Sequence, residues 1–368
     1  MKLKGSVKFA KGQNEFHLTL KKRVDQYFKD NNISKHANTQ MVIKSICMIT
    51  GFILPFIFVL TIPMSWGMVM LMYVLMGIAT AGIGMSVMHD ANHGAYSSNK
   101  NINKFVALSL NLVGGMSHNW KLQHNILHHT YTNIADLDED IDPKGGLRFS
   151  PHHHHHKRHR FQYLYAFIIY GLSTFYWIMA KDFVQFFHYT RNGVNPNSKR
   201  KNRIFFTKMV INKAIYLAVI VGLPVFLVGL PFWYVALCFF VMHFVGGFIL
   251  SVIFQMAHSV ENAEHPLPDA TGTMENNWAI HQMKTTANFA RHNKVLSWYV
   301  GGLNYQVEHH LFPKICHVHY PALSPLVKQT AEEYGVPYND NRTFWIALGS
   351  HIRSLKKMGV ADMDEILG

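Results

Sequence analysis

Charged side chains are scarce in this chain. Only 15% of its 368 residues are Asp, Glu, Lys or Arg, whereas 49% are hydrophobic. That balance is apolar for a soluble protein of this length. The net charge is nevertheless strongly positive, at +14. A basic chain suits nucleic acid, an anionic lipid surface or an acidic protein partner, and composition does not choose among the three.

Cysteine is also rare. The three cysteines, Cys47, Cys238 and Cys316, are far apart in sequence, and no two have CxxC spacing. A disulfide framework or a thiolate zinc site is therefore not expected. The N-terminal stretch MKLKGSVKFAKGQNEF is basic but has no apolar core, so we also expect no cleavable signal peptide.

Long apolar runs are present, and charge is missing from them. No lysine or arginine occurs from Ser45 to Asn99, and no charged residue occurs from Ala214 to Met256. The sequences PMSW at Pro63–Trp66 and GLPFW at Gly229–Trp233 break these runs. Because about 20 residues cross a hydrocarbon core, each run is long enough for a hairpin of two spans. We predict four spans, at about residues 42-63, 66-88, 212-230 and 232-257.

The positions of lysine and arginine predict the orientation. These residues lie outside the two apolar runs, for example before Met41, in KRHR at Lys157–Arg160, in KRKNR at Lys199–Arg203 and near the C-terminus. The positive-inside rule then places both termini and the central segment in the cytoplasm. The predicted fold is an all-α integral membrane protein with four transmembrane helices, in two hairpins, under a cytoplasmic helical cap. We expect a cytoplasmic segment over residues 1-41, one integral domain over residues 42-325 and a second cytoplasmic segment over residues 326-368.

Two weaker apolar segments complete the pattern. Phe105–Met116 is too short to span and is expected to be buried or re-entrant. Phe161–Ala180 is rich in aromatic residues and fits this topology only if it lies along the membrane interface. If it crossed the membrane, the histidines described next would not all face one side.

Histidine is abundant, with 25 copies, and three short motifs concentrate it. The motifs are HDANH with His89 and His93, HNILHH with His124, His128 and His129, and QVEHH with Gln306, His309 and His310. Histidines at i and i+4 share one helix face, so each motif can direct imidazoles at one metal ion. The predicted topology puts all three motifs on the cytoplasmic side. Seven histidines in three such motifs favour a metal site over coincidence.

The residues alone leave the metal open. Neither thiolates nor Glu-x-x-His pairs accompany the motifs. Zinc takes about four ligands, whereas seven or eight imidazoles suit two metal ions, and a redox-active iron pair is the interpretation that needs so many. Imidazole also binds copper and nickel.

Taken together, the three motifs resemble the three histidine boxes of the membrane fatty-acid desaturases. The resemblance includes the TYTNI that follows HNILHH and the longer GGLNYQVEHHLFP, and it runs from about Met41 to Pro325. It implies a di-iron membrane enzyme that uses dioxygen and two electrons to remove two hydrogens from adjacent methylenes of an acyl chain. The iron ligands it implies are the seven box histidines, His89, His93, His124, His128, His129, His309 and His310, together with His258 at the end of the fourth span.

Gln306 stands where the first histidine of the third box is found in other desaturases. In this respect the chain resembles the front-end group, whose members insert a double bond between an existing one and the carboxyl end. An amide oxygen is a weaker donor than imidazole. We therefore expect Gln306 to be a weak ligand or an outer contact of the metal site.

The chain departs from common family patterns at two points. It has no His-Pro-Gly-Gly of a fused haem domain, so electrons are expected from a separate acidic ferredoxin or small cytochrome. Three residues separate His124 from His128, where many relatives have two. The acyl carrier, coenzyme A or a membrane lipid, stays open, and no nucleic-acid partner is expected.

Two other functions fit parts of the pattern. A related di-iron hydroxylase or carotenoid oxygenase would share the boxes but insert oxygen. A metal-binding membrane transporter would need polar residues along a path through the spans, and the spans show almost none beyond His243.

The remaining polar clusters have simpler expected roles. The run His152–His156 is expected to be a solvated basic loop, and the acidic stretch Asp136–Pro143 a solvated acidic one. His243 is either a functional residue within the membrane or a packed, hydrogen-bonded one. Outer hydrogen bonds or surface positions are expected for His118, His281, His292, His317 and His319.

Overall fold

The computed structural model describes residues 7–12, 14–142 and 146–360, and this part of the chain is mostly helical. The helices of its first half are α1 Glu15–Asp30, α2 Thr39–Thr61, α3 Trp66–Gly82, α4 Met88–His93, α5 Lys100–Ala107, α6 Ser109–Leu112, α7 Ser117–Lys121 and α8 His129–Tyr131. Those of its second half are α9 Gln162–Tyr176, α10 Asp182–Arg191, α11 Lys199–Leu217, α12 Leu223–Val228, α13 Phe232–His258, α14 Trp278–Thr285, α15 Lys294–Tyr299, α16 Gln306–Leu311, α17 Tyr320–Glu333 and α18 Phe344–Val360. Four two-residue strands pair in parallel, β1 Lys8–Phe9 with β2 Thr273–Met274 and β3 Asn288–Phe289 with β4 Asp340–Asn341.

In the described part of the chain, four π-helical segments join consecutive helices end to end. They are Ile83–Val87 between α3 and α4, Leu122–His128 between α7 and α8, Trp177–Lys181 between α9 and α10, and Ala218–Gly222 between α11 and α12. A π segment is rare and commonly marks a functional site. The first three of these segments border the site described below.

Five helices in the described part of the chain are long and apolar enough to cross a membrane. They are Thr39–Thr61, Trp66–His93, Lys157–Arg191, Lys199–Val228 and Phe232–His258. Four of them fall on the predicted spans, and the fifth contains the segment that we expected at the interface. By helix length and hydropathy the chain is therefore a multi-pass membrane protein. The count of four spans remains a prediction.

The two breaks between the spans fall where the sequence predicts them. The Ser65 side chain accepts a hydrogen bond from the backbone N–H of Met68 and so caps the start of α3. Gly229 ends α12 in the left-handed conformation, with φ +76°, which a residue without a Cβ adopts at little cost. The rings of Trp66 and Trp233 are 5.5 Å apart. The two breaks therefore lie side by side at the same end of the protein.

Glycines allow the central helices to pack closely. A Cβ added at Gly77 of α3 would lie 2.4 Å from the carbonyl oxygen of Met242 in α13, and one added at Gly171 of α9 would lie 2.3 Å from the ring of Phe244. Membrane helices associate through such close backbone contacts, since lipid supplies no hydrophobic drive between them. Helix α13 is therefore held between α3 and α9.

The long helix over residues 157–191 contacts the same side of the protein at both of its ends. Near its start, Gln162 donates a hydrogen bond to the carbonyl of Leu355 in α18, a helix that packs against the end of α13. Near its other end, Gln185 donates to the side chain of Gln123, the neighbour of His124 in the second histidine motif. Both ends therefore lie on the histidine side.

The weaker segment Phe105–Met116 is too short to span, as expected. It forms the end of α5 and the four-residue α6, and Leu110 and Val113 are buried against the rest of the protein. Gly114 then turns the chain with φ +87°.

The two terminal segments pack against each other on the cap. Arg23 of α1 forms an ion pair with Glu333 of α17 at 2.6 Å, and buried apolar residues of both helices share one core. The division into residues 1-41, 42-325 and 326-368 is not decided by this contact and stays a prediction. Residues 1–6, 13 and 361–368 of the two terminal segments lie outside the described residues.

A buried ion pair fixes the bend after α9. The ammonium of Lys213 in α11 lies 2.6 Å from a carboxylate oxygen of Asp182, and both side chains are almost fully buried. The same ammonium donates to the carbonyl oxygens of Gly114 and Trp177. A buried charge is tolerated only when it is paired and hydrogen-bonded in this way.

Replacement of Lys213 by methionine would leave the carboxylate of Asp182 buried without a cation. We expect the free energy of unfolding to fall by roughly 3–5 kcal/mol, measured as a lower midpoint of thermal unfolding in detergent. Lys208→Met changes an exposed lysine of the same helix and is the matched control. Equal midpoints for the two variants would contradict this role of the pair.

Candidate metal centre

The first histidine motif lies where α3 continues through a π segment into α4. His89 and His93 are one helical turn apart, and their ring centroids are separated by 4.7 Å. Gly94 ends the helix directly afterwards, with φ +76°. The i, i+4 spacing thus places both rings at one helix end, as predicted.

The second motif is itself a π segment. Its wider turn brings His124 and His129, five residues apart, to a distance of 3.2 Å between their Nε2 atoms. In an α-helix the neighbouring positions on one face are three and four residues apart. The extra residue that precedes His128 is therefore accommodated by a local change of helix type.

Two glycines position the third motif. Gly301 and Gly302 have φ angles of +63° and +70°, and a Cβ at Gly301 would lie 2.4 Å from the carbonyl oxygen of Met85. The chain can therefore run against the π segment that precedes His89 before α16 begins. The side chain of Asn288 then accepts a hydrogen bond from the backbone of Val307 and fixes the start of α16.

The three motifs converge. Within the described residues the histidines form two groups, each with possible ligand atoms less than 4.8 Å apart: His89, His93, His124 and His309 in the first, and His128, His258 and His310 in the second. His129 lies between them, with ring centroids 4.6 Å from His309 and 4.3 Å from His310. The structure thus brings together all eight histidines that the sequence singled out.

Outer partners orient several of these rings. The Nδ1 atoms are hydrogen-bonded in His128 to Asp138 at 3.0 Å, in His309 to Tyr320 at 3.2 Å and in His310 to Gln282 at 2.7 Å. Their Nε2 atoms are buried and have no hydrogen-bond partner among the described residues. Histidines that bind metals have this arrangement. A hydrogen bond donated by one ring nitrogen fixes the tautomer, so the other nitrogen keeps its lone pair for the metal ion.

Burial keeps most of these imidazoles neutral. Burial, followed by the proximity of other histidines, lowers the pKa of His124, His129, His309 and His310 well below its ordinary value of 6.5. His128 is different: burial lowers its pKa, but the charge and hydrogen bond of Asp138 outweigh burial, and the net pKa is raised. A neutral ring keeps a lone pair for a metal ion.

The site fits metal ions on its own geometry. So many buried nitrogen lone pairs facing one another would be costly without a shared partner, because each unpaired polar atom loses its hydration on burial. A bound cation satisfies several of them at once.

Gln306 and His258 are direct neighbours. The amide nitrogen of Gln306 lies 2.9 Å from Nε2 of His258, and the amide oxygen is buried without a hydrogen-bond partner within the described part of the chain. Gln306 thus contacts the second group of histidines.

The expectation of a solvated acidic loop over Asp136–Pro143 is wrong where the structure describes it. Asp138 is 1% exposed and accepts from His128, and Asp140 lies within 3.5 Å of the same ring. Glu139 is hydrogen-bonded to Tyr189 of α10. The charge of this loop predicted exposure to solvent, but in the structure the loop packs over the second histidine motif. Pro143 lies outside the described residues.

A polar chain beside the first motif was not predicted. Asp90 of HDANH lies 2.8 Å from Nδ1 of His317, and the other ring nitrogen of His317 lies 2.7 Å from the ammonium of Lys44. All three side chains are buried. The one sequence signal was Asp90, a carboxylate at a predicted membrane boundary. Lys44 lies at the start of the predicted first span, and the sequence did not indicate its contact with His317.

The other histidines do not join the two groups. His243 is buried between Tyr216 and Thr174, whose hydroxyls lie 3.0 and 3.3 Å from its ring, so it is a packed and hydrogen-bonded residue. The remaining ones contact protein groups or solvent: His118 contacts Asn195, His281 the carbonyl of Thr132, His319 the carbonyl of His36, and His292 is exposed.

The run His152–His156 is only partly the solvated loop that we expected. His152 and His155 are hydrogen-bonded to the carbonyl oxygens of His265 and Gly359, and His153 is buried. The loop therefore packs against the C-terminal helix, which the repetitive sequence did not indicate.

A cavity of about 590 Å³ opens beside the histidines. His89, His124 and Gln306 border it, and its walls are largely apolar, with residues from α9, α13 and three π segments. A smaller, deeper pocket shares Gly84, Thr174, Trp177 and Leu250 with it. Residues of three π segments thus line a largely apolar cavity that borders His89 and His124. Ligand cavities commonly combine an apolar wall with a few polar groups in this way.

Comparison with known proteins gives consistent matches. The sequence pattern of the family described as fatty acid desaturase matches residues 64–342. A sn-1 linoleoyl-lipid 6-desaturase of Synechocystis is 36% identical, with 96% of this chain and 98% of the relative covered. One of Arthrospira platensis, with the same name, is 34% identical, with 94% and 93% covered. An acyl-lipid (8-3)-desaturase of Physcomitrium patens is 33% identical, with 98% of this chain and 75% of the relative covered.

Asp138 offers a test of the metal centre from outside the histidines. Asp138→Asn removes the charged acceptor that orients His128, and loss of an outer partner typically weakens metal binding about 10- to 100-fold. We expect less bound metal per chain after dialysis against a weak chelator, measured by plasma mass spectrometry. Asp136→Asn, at an exposed position of the same loop, is the control. Equal metal retention in the two variants would refute the role of Asp138.

Proposed function

This protein belongs to the fatty acid desaturase family, and we propose that it inserts a double bond into the acyl chain of a membrane lipid on the carboxyl side of an existing double bond. The observation that carries the proposal is the pair of buried histidine groups, of which the first borders a largely apolar cavity through His89 and His124. An apolar cavity at a metal centre suits a long acyl chain, which enters from the bilayer more readily than from water.

The metal ligands of this proposal are the eight histidines of the two groups: His89, His93, His124, His128, His129, His258, His309 and His310. Two iron ions bound there would supply the oxidation, in which a –CH2–CH2– unit, dioxygen, two electrons and two protons give –CH=CH– and two waters. The residues of the chain hold the geometry. Asp138, Tyr320 and Gln282 fix the outer ring nitrogens, so the inner ones keep their direction.

Gln306 serves in this proposal as a positioning residue for His258. The contact at 2.9 Å supports this role, because a hydrogen bond to one ring nitrogen sets the direction of the other. The glutamine also borders the cavity, so it lies between the cavity and His258 in this proposal. Relatives whose names specify 6- and 8-3-desaturation support the front-end position of the new double bond.

The cavity supports an acyl chain as the substrate. Apolar residues of α9 such as Ile169 and Leu172 form one wall, and Leu250 and Phe254 of α13 form the other. Leu172 is also 37% exposed on the outer face of α9, toward lipid in this proposal. A chain sliding past α9 would therefore reach the histidines without crossing water. The lipid in the names of the relatives supports a glycerolipid over coenzyme A as the acyl carrier.

Electrons come from a separate acidic carrier in this proposal, a ferredoxin or a small cytochrome. The strongly basic chain supports it, since a net charge of +14 attracts an acidic partner.

We propose four spans, with both termini and the metal centre in the cytoplasm. The contacts of the 157–191 helix support this count, because Gln162 and Gln185 near its two ends both reach the histidine side. A helix that returns to the side from which it started adds no crossing. The lysines and arginines outside the hairpins support the orientation.

The proposed reaction is tested by expression in a host that makes no such fatty acid and is fed linoleate. Gas chromatography with mass spectrometry of the methyl esters is expected to show a new double bond between the carboxyl group and the existing ones. His310→Ala, which removes one ligand of the second group, is expected to give no product. A hydroxylated product would instead support the hydroxylase, and wild-type protein with bound iron and a working reductant but no product would contradict the desaturase assignment.

The topology is tested by labelling single cysteines with a membrane-impermeant maleimide. Positions His154 and Asn192, before and after the long helix, are expected to react from the same side of sealed vesicles. Cys47 is exposed on α2 and is replaced by serine in the background. Labelling of the two positions from opposite sides would show that residues 157–191 cross the membrane and would overturn the four-span topology.

A further inference from the structure

Trp278 connects the surface of the cap to the metal centre. Its indole N–H donates a hydrogen bond to the backbone carbonyl of His129 at 3.0 Å. His129 lies between the two histidine groups, and its Nε2 is 3.2 Å from that of His124. Trp278 is itself partly exposed. The indole thus links a partly exposed position to the backbone of the histidine that lies between the two groups.

The surface around Trp278 has an apolar centre with a basic rim. His17 of α1 contacts the indole, with ring centroids 5.9 Å apart, and Leu18 beside it is 63% exposed. Lys21 is one helical turn from His17, and Lys11 precedes Gly12, whose carbonyl accepts a hydrogen bond from Asn277 next to the tryptophan. The same segments also carry exposed Lys8, Lys22 and Lys29 together with the exposed carboxylates Glu15, Asp30 and Glu275.

Other tryptophans near the histidines face different surroundings. Trp120 contacts the ring of His124, with centroids 4.4 Å apart, but it is buried and borders the cavity. Trp298 lies on α15, and the ammonium of Lys44 in α2 lies over its ring. The next residue, Tyr299, donates a hydrogen bond to the carbonyl of Ile78 in α3. Trp298 therefore lies against the spans. In the proposed function Trp120 faces the substrate cavity and Trp298 the membrane spans, whereas Trp278 lies on the cap.

We propose that the patch formed by Lys11, His17, Leu18, Lys21 and Trp278 is the docking site of an acidic one-electron carrier protein, and that its electrons reach the metal centre through Trp278 and His129. The proposal rests on the desaturase function proposed above. The reaction needs two electrons for each double bond, so two reduced carriers are oxidised in turn at this patch. Charge complementarity selects the partner, because lysines around an apolar centre attract and orient an acidic surface.

The anatomy of the patch fits a short-lived encounter. Redox complexes bury a small area, and aromatic residues are enriched at the centre of protein interfaces. A partner that leaves after delivering one electron needs fast association and modest affinity. The lysines favour fast association through their charge. The small apolar centre, formed by Leu18 and Trp278, keeps the affinity modest.

The test uses the full-length, iron-loaded protein in nanodiscs with a plant-type ferredoxin, and a parallel arm with a cytochrome b5, each kept reduced by its own reductase. Lys11→Glu with Lys21→Glu is expected to raise the KM for the active carrier about tenfold, because both charges of the rim are reversed. Binding of the carrier, measured by surface plasmon resonance, is expected to weaken equally. Lys199→Glu with Arg200→Glu, at two exposed positions in the first turn of α11, is the matched control.

A second variant tests the route itself. Trp278→Leu is expected to slow reduction of the metal centre by the carrier about tenfold, while Trp345→Leu, at a tryptophan of α18 that is 75% exposed, leaves it unchanged. Dithionite added before oxygen bypasses the carrier, so the product of one turnover is expected to be the same in all variants with equal iron content.

These arms separate the two proposals. Two results would overturn the docking site alone. In the first, dithionite gives product, but Lys11→Glu/Lys21→Glu and wild type have equal KM and equal binding for the carrier. In the second, dithionite gives product and neither carrier does. Absence of product even with dithionite in iron-loaded wild type would count against the desaturase function. If Trp278→Leu loses iron, the charge-reversal pair still decides, since neither lysine touches a histidine of the metal centre.

Discussion

The constraint on which this structure depends is the burial of many neutral imidazoles in one small volume. Each ring would be better solvated in water, so the fold must fix it by a hydrogen bond on the outside and provide a partner on the inside. Asp138, Tyr320 and Gln282 supply the outer bonds to three of the rings. Metal ions are the partners that such inward nitrogens accept. The elements around the site are arranged to satisfy this requirement.

Helix irregularity does much of that arranging. The π segment of the second motif turns His124 and His129 toward each other, and the one before α4 leaves room for the close passage of Gly301. The bend after α9 is held by the buried pair of Lys213 and Asp182. Regular α-helices would present fewer of these groups to a common centre, because their neighbouring faces repeat at three and four residues.

The layout separates the reactants of the proposed reaction. The apolar cavity reaches the histidines from the side of α9, whereas Trp278 reaches His129 from the cap. An apolar acyl substrate and a water-soluble electron carrier then approach the same centre from different directions. Such a division follows from placing a metal centre where membrane helices end and a polar cap begins.

The sequence by itself determined the spans that break at Pro63–Trp66 and Gly229–Trp233 and the pairs His89/His93 and His124/His128, because hydropathy and i, i+4 spacing are local properties. It also pointed to the family through its three motifs. Tertiary structure alone decided what surrounds them. The burial of Asp138, the pairing of Lys44 with His317 and the contact of Trp278 with His129 join residues that are distant in sequence. Charge or hydropathy at one position cannot reveal such contacts, since a buried polar group is stable only when its partner, from another part of the chain, is already in place.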